Sequence, residues 1–92
     1  MKMWKVYLIQ NTITKEYYIG YTGEIERRIK EHNEGESKHT GNISGEWELL
    51  YYEAYRNEKD AIEREKKLKS HGKARYELMK RIERSQIKEI NR

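Results

Sequence analysis

Four side chains that could act together on a phosphodiester stand at defined intervals in this chain. Tyr18, in Tyr18-Ile19-Gly20, lies eleven residues after Tyr7 of Val6-Tyr7-Leu8 and ten before Arg28 of Ile25-Glu26-Arg27-Arg28-Ile29, with Glu65 further on. Two phenols on neighbouring strands, a guanidinium on the next helix and one inward-facing carboxylate would bring together proton-transfer groups, a planar fork for phosphate and a hard oxygen ligand. An isolated Tyr-Ile-Gly carries no such meaning. The four can act together only if the intervening elements assemble them.

Trp4 to Gln10 reads as a central strand, because Trp4, Val6 and Leu8 fall on one face while Tyr7 and Ile9 fall on the other. Asn11 to Thr14 supplies turn residues, and Glu16 to Thr22 is a second β-branched and aromatic run, so the two form a hairpin. With that loop, Gln10 faces Lys15 and Tyr7 faces Tyr18 on one side of the sheet. A slip of one residue would separate the phenols onto opposite faces. Thr22 is the expected N-cap of a helix over Gly23 to about Asn33, with Ile25 and Ile29 as its buried stripe. Arg28 and His32, one turn apart, lie beside that stripe, whereas Arg27 and Lys30 point elsewhere.

Gly35 to Gly45 has no apolar periodicity and reads as a mobile surface loop. Trp47 to Tyr55 is the third strand. Asn57-Glu58-Lys59-Asp60 resembles a capping box and opens a helix that ends near Ser70-His71-Gly72. A last helix, Lys73 to about Ile90, carries Leu78, Met79 and Ile82 as a weak apolar stripe. No internal repeat, low-complexity tract or linker divides the chain.

Glu65 is informative on its own. Ala61, Ile62, Glu65 and Leu68 share one helix face by spacings of three and four, so a carboxylate occupies a position otherwise suited to an apolar side chain. A buried unpaired charge costs several kcal/mol, so this residue requires a cation, an arginine or a wet cleft. A plain Glu65 to arginine ion pair and a metal ligand both meet that requirement.

Ninety-two residues suffice for one domain with a modest core. The chain is very polar, with 39% charged residues and a mean hydropathy of −1.24. No apolar run approaches the roughly 20 residues of a membrane helix, and no secretory leader is evident, so a cytoplasmic protein is expected. There is no cysteine, and His32, His39 and His71 lack zinc-ligand spacing, which excludes disulfide and zinc frameworks. Residues 1–55 hold seven Lys and Arg against nine Asp and Glu, and residues 56–92 hold thirteen against seven, so the halves carry −2 and +6. Such a basic half attracts polyanions over about 8–10 Å at ordinary salt. It is equally the pattern of solvated helix faces with pairs such as Glu63 and Lys67.

The ordered set of elements from Trp4 to about Met79 resembles the GIY-YIG nuclease family. It looks like the small stand-alone bacterial type, similar to the N-terminal domain of excision-repair nuclease subunits and to intron-encoded endonucleases. Two departures stand out: Val6-Tyr7-Leu8 lacks the glycine of the first tripeptide, and Tyr21 follows Gly20 where repair nucleases have lysine. The resemblance implies an α/β (α+β) fold, a three-stranded, mostly antiparallel sheet flanked by three helices, in one domain over 1–92 with a core at about 3–82. It implies a metal-dependent endonuclease hydrolysing phosphodiester bonds in DNA.

In that reading Tyr7 and Tyr18 match the family's two tyrosines, and one of them is the general base. A phenol with a pKa near 10 needs a neighbouring cation or a metal's water to serve at pH 7. Arg28 matches the arginine that meets charge building on the phosphate. His32 matches a position that orients phosphate or assists proton transfer, a surface histidine being the alternative. Glu65, eight residues after Asn57, matches the ligand of a single Mg²⁺ or Mn²⁺. Gly20 has a backbone role, letting the strand approach its neighbours closely.

With no separate targeting domain, structure-selective cleavage is expected over sequence-selective cleavage, at branches, flaps or single-stranded ends. Arg28, Lys38, Lys66, Lys69, Lys73 and Arg75 are the expected backbone contacts. A targeting protein or a second copy of the chain is the remaining partner expectation. The competing reading is a nucleic-acid-binding module that no longer cuts, against which stands the presence of all of Tyr7, Tyr18, Arg28 and Glu65.

Overall fold

A computed structural model describes residues 2–35, 40 and 44–88. Its elements are β1 (Trp4–Asn11), β2 (Tyr17–Thr22), α1 (Ile25–Asn33), β3 (Trp47–Tyr55), α2 (Glu58–Ser70) and α3 (Gly72–Arg81), followed by a 3₁₀ turn at Glu83–Ser85. The strands form one antiparallel sheet in the order β2-β1-β3. The fold class and central position of β1 match the expectation. No helix among the described residues is long and apolar enough to cross a membrane.

Alternation along β1 divides the core in two. Val6 and Leu8, with Ile19, pack under Ala61 and Leu68 of α2 and Leu78 and Ile82 beyond. Tyr7 and Ile9 face the other way, with Trp47, toward Ile25 and Ile29 of α1. The site therefore grows on the smaller, more aromatic face.

The hairpin register differs from the expected one by two residues. Tyr7 pairs with Gly20 and Ile9 with Tyr18, while Gln10 meets Tyr17. The cause is Asn11, which extends β1 and accepts from the Ile13 and Thr14 amides through Oδ1 at 2.9 and 3.0 Å. Lys15 then takes a left-handed φ of 65°, and the Asn11 amide donates to the Glu16 carbonyl at 2.9 Å. A two-residue shift preserves the face, so both phenols still lie on one side. Gly45, with φ of 92°, closes the turn region, since a Cβ there would lie 2.4 Å from Asn11 Oδ1.

A bulge alters β3. Leu8 pairs with Tyr51 but Ile9 with Leu49, leaving Leu50 extra and reversing the strand's facing beyond it. Tyr51, Glu53 and Tyr55 consequently face the α2 side. There the Glu53 carboxylate accepts from both tyrosine hydroxyls and from Arg64 of α2.

Helix limits also depart from expectation. Thr22 is not the α1 cap: its Oγ1 accepts from the Glu24 amide at 3.1 Å as a local turn, and the helix starts at Ile25 behind Glu24. Asn57 does cap α2, accepting from the Lys59 amide at 2.9 Å. The last helix ends at Arg81 instead of continuing toward Ile90, of which residues 89–92 lie outside the described ones. It ends because the buried amide of Gln10 recruits the following chain, accepting from the Ile87 amide at 2.7 Å and donating to its carbonyl at 3.2 Å. Tyr17 adds a bond to Gln86 at 2.6 Å. The backbone beyond α3 is thereby bound to the hairpin.

Two outcomes test this packing. A Cβ at Gly20 would lie 2.6 Å from the hydroxyl of Tyr7, and Tyr7 cannot retreat because it is buried and hydrogen-bonded. Gly20→Ala is therefore expected to lower stability by about 1–3 kcal/mol in urea unfolding; an unchanged midpoint would refute the clash. For Glu53, burial alone would raise the carboxyl, but Tyr51, Tyr55 and Arg64 together hold it below the usual range. A depressed pKa contributes stability above the unfolded value of about 4.3 and loses it as pH falls through the folded value. Burial first, then the Glu53 bond, pushes Tyr51 and Tyr55 up to about 12. Their contribution is complete below about pH 10 and fades as pH rises toward 12. Urea midpoints followed across pH should fall on both limbs, and Glu53→Gln should flatten the acid limb.

Candidate active site

Tyr7 is the hub of the polar cluster. It sits mid-strand on β1, 1% exposed, and its hydroxyl lies 2.8 Å from His32 Nε2. The other ring nitrogen, His32 Nδ1, lies 2.7 Å from Thr40 Oγ1. Arg28 also bonds Tyr7. A guanidinium only donates, so the phenolic oxygen accepts from Arg28 and its own proton points to His32. That assignment places the imidazole N–H on Nδ1, directed to Thr40. His32 is 2% exposed, which removes the surface-histidine alternative.

α1 is held in place to present these groups. The Asn33 side chain clamps the start of β3, accepting from the Trp47 amide at 2.6 Å and donating to its carbonyl at 3.1 Å. Arg28 pairs with Glu31 at 2.9 Å one turn on. Burial would lower the Arg28 pKa, but the bonds to Glu31 and Tyr7 outweigh it and keep the group charged. Tyr7 is pushed up to about 12, chiefly by burial; Arg28 opposes this, whereas Tyr18 and Glu65 add to it. Arg28 thus acts on Tyr7 in the expected direction without overcoming desolvation.

Tyr18 completes the aromatic wall, its ring centroid 6.3 Å from that of Tyr7 and 4.9 Å from that of His32. From α2, Lys69 Nζ lies 5.5 Å from the Tyr18 centroid and 3.5 Å from Glu65 Oε2. The Glu65 side chain is only 17% exposed, and its charge is felt at Tyr7 and Tyr21. Its ion-pair partner is a lysine on its own helix, whereas the ion-pair alternative to a metal ligand names an arginine. Arg64, its neighbour, pairs with Glu53 instead.

The donor set limits what metal would fit. Among the described residues no group of three or more His, Cys, Asp or Glu converges, so a zinc-type cage is not built. One sheltered carboxylate, separated from its lysine by more than a hydrogen-bond length, fits a hard divalent cation that keeps most of its waters.

Tyr7, Tyr18, Arg28 and His32 are thus gathered on the α1 face around Gly20, while Glu65 acts on them from α2, which packs on the other face. Arg27 points away and pairs with Glu24 at 2.9 Å, as expected. Of the expected phosphate contacts, Lys66, Lys69 and Lys73 are exposed, Lys69 at the margin of the cluster beside Glu65 and Tyr18. Arg75 donates to the Leu68 and Lys69 carbonyls at 2.9 and 3.1 Å, closing the end of α2. Lys38 lies outside the described residues. Thr40 was not singled out from sequence: it belongs to the segment read as a mobile loop, most of which is also outside the described residues, yet it is buried beside His32. Glu31 was missed too, although its i to i+3 spacing from Arg28 was a visible signal.

A family model described as the GIY-YIG catalytic domain matches residues 3–80. Over 66 residues the chain is 32% identical to a UPF0213 protein of Haloquadratum walsbyi, a match covering 72% of this chain and 73% of that one. The solution NMR structure of a UPF0213 protein from Bacillus halodurans is similar over 89% of this chain and 85% of its own, with a TM-score of 0.52 and 24% identity, a likeness of fold. With its two tyrosines, arginine and glutamate drawn to one end of a three-stranded antiparallel sheet, the chain belongs to the GIY-YIG nuclease family.

Proposed function

We propose that the protein is a metal-dependent endonuclease that hydrolyses phosphodiester bonds in DNA, selecting structure over sequence. The observation that carries this reading is the convergence on Tyr7: a guanidinium donating to its oxygen, an imidazole accepting its proton, and a sheltered carboxylate on α2 acting on the same phenol.

Tyr7 at rest is a poor base, with its pKa pushed up to about 12 by burial and only partly relieved by Arg28. The hydrogen-bond chain removes that difficulty. As water attacks phosphorus, Tyr7 takes the water proton while passing its own to His32 Nε2, so no free phenolate has to accumulate. The new P–O bond forms as the bond to the leaving 3′ oxygen breaks. Arg28, already poised at Tyr7, meets the charge that builds on the phosphate oxygens. Glu65 would hold a single Mg²⁺ or Mn²⁺, which when bound neutralises phosphate charge and stabilises the leaving oxygen. Lys69, beside Glu65 and the Tyr18 ring, would supply a further cation to the same phosphate. Lys66 and Lys73 on the exposed surface, with Lys38, supply contacts to the strand backbone that carry no sequence information.

Purified protein with labelled duplex, flap, branched and single-stranded DNA is expected to cut only with Mg²⁺ or Mn²⁺. Glu65→Gln and Arg28→Ala should each lower the rate by about 10²–10³-fold while DNA binding persists. Binding with no cutting by the wild type would leave the non-cleaving module as the better reading. The relay makes a separate claim: His32→Gln, which retains a hydrogen-bond acceptor but takes up no proton, should slow cleavage by about 10²–10⁴-fold with little change in KM. Retention of the wild-type rate would exclude His32 as the proton acceptor.

A further inference from the structure

We propose that the cleft beside Arg28, between the Trp4–Tyr21 pair and the first turn of α1, receives an unstacked nucleobase from the nucleotide adjoining the scissile phosphate. This rests on the endonuclease reading and specifies the substrate more closely: a strand with at least one unpaired base at the cut.

The cleft has a volume of about 620 Å³ and is lined by Lys2, Trp4, Tyr21 and Glu58 as well as by Arg27 and Arg28. That size lies within the range of specific small-ligand sites. Its aromatic wall is built by strand alternation. Tyr21 pairs with Val6, one position on from the Gly20–Tyr7 pair, so its ring is on the sheet face away from the catalytic phenols. Trp4 and Tyr21 stand as a tilted pair with centroids 6.4 Å apart at 51°, and both line the cleft. Lys2 Nζ lies 4.7 Å from the Trp4 centroid and passes across Gly23, where a Cβ would meet Lys2 Cε at 2.3 Å.

The charge on the lining separates a base from a backbone. Lys2, Arg27 and Arg28 are matched by Glu24, Glu31 and Glu58, and two of these pairs are already closed at 2.9 Å. A cleft without net charge exerts little pull on a phosphate strand. Its offer is an aromatic surface for stacking and a carboxylate at the rim, where the Tyr21 hydroxyl approaches Glu58 at a long 3.5 Å. A neutral base with an exocyclic amine, as in adenine or cytosine, satisfies both. Arg28 joins the two sites, lining the cleft while bonding Tyr7. A phosphate held on Arg28 therefore leaves its own nucleotide at the cleft mouth.

The test uses hairpin duplexes with one unpaired position, carrying adenine, thymine, 2-aminopurine or an abasic site, bound in EDTA and then cut with Mg²⁺. Adenine should bind about tenfold more tightly than the abasic hairpin. Tyr21→Leu, which keeps apolar bulk but loses the aromatic face, should erase that difference. Glu58→Gln should narrow the preference for adenine over thymine. Emission from 2-aminopurine should fall on binding, as stacking on Trp4 and Tyr21 requires, a readout that holds if Tyr21→Leu fails to fold. Equal affinity for adenine and abasic hairpins with undiminished emission would overturn the inference, and metal-dependent cutting of both would show that the endonuclease reading survives it. Base-dependent binding without any cutting would do the reverse. Quenching of Trp4 emission by free AMP at the concentrations effective for the hairpin would assign the cleft to a mononucleotide and likewise overturn it.

Discussion

The hydrogen bond between Tyr7 and His32 is the constraint around which the site is built. It joins the central strand to α1, and through Nδ1 it reaches Thr40, so three segments distant in sequence share one buried polar chain. A buried phenol, imidazole and hydroxyl are tolerated in an apolar layer only if each is paired. Satisfying them fixes the rotation of α1 about its axis, and that rotation places Arg28 on Tyr7 and turns Arg27 out to Glu24. Gly20 follows from the same requirement, because any side chain opposite Tyr7 would occupy the space of its hydroxyl.

Much of this layout was legible in local patterns. Alternation in β1 identified both faces, the three-and-four spacing in α2 identified the odd carboxylate, and Asn57 marked a cap that the structure retains. Features settled by distant partners were not legible. The hairpin register depends on Asn11 turning its side chain back on the loop, and the shift of two left the catalytic face intact only because strand parity has period two. The β3 bulge carries no signal in Leu49-Leu50-Tyr51, yet it decides that Glu53 meets Arg64. Leu49 and Tyr52 remain 39% and 49% exposed on the α1 side. The end of α3 depends on Gln10, more than seventy residues away, which no helix periodicity can report.

Charge counting along the sequence also overstates the free basic surface. The second half carries the excess of cations, but Arg64 is committed to Glu53, Arg75 to the carbonyls ending α2, and Lys69 to Glu65 and the Tyr18 ring. The pairs of Arg64 with Glu53 and of Lys69 with Glu65 offset part of that excess, whereas Arg75, bonded to neutral carbonyls, keeps its charge in the long-range field together with the exposed lysines and arginines. In the proposed reading, a mixed surface of this kind would favour encounter with nucleic acid without strong retention at any one sequence.

The substitution of tyrosine for lysine after Gly20 then acquires a physical account. Position 21 pairs with Val6, on the opposite pleat from Gly20 and Tyr7, so a lysine there would have to bend around the strand to reach the phenols. In this chain the second cation approaches from α2, where Lys69 lies over Tyr18 beside Glu65. An i to i+4 pair on a helix brings carboxylate and ammonium to one place with little added ordering of the backbone. In the proposed reaction Glu65 would hold the metal, and the Lys69 ammonium would stand near the tyrosines as phosphate charge builds. In that reaction a cation on the helix, Lys69, would thus serve the cluster without one from the strand, and position 21 presents its aromatic ring to the cleft beside Arg28.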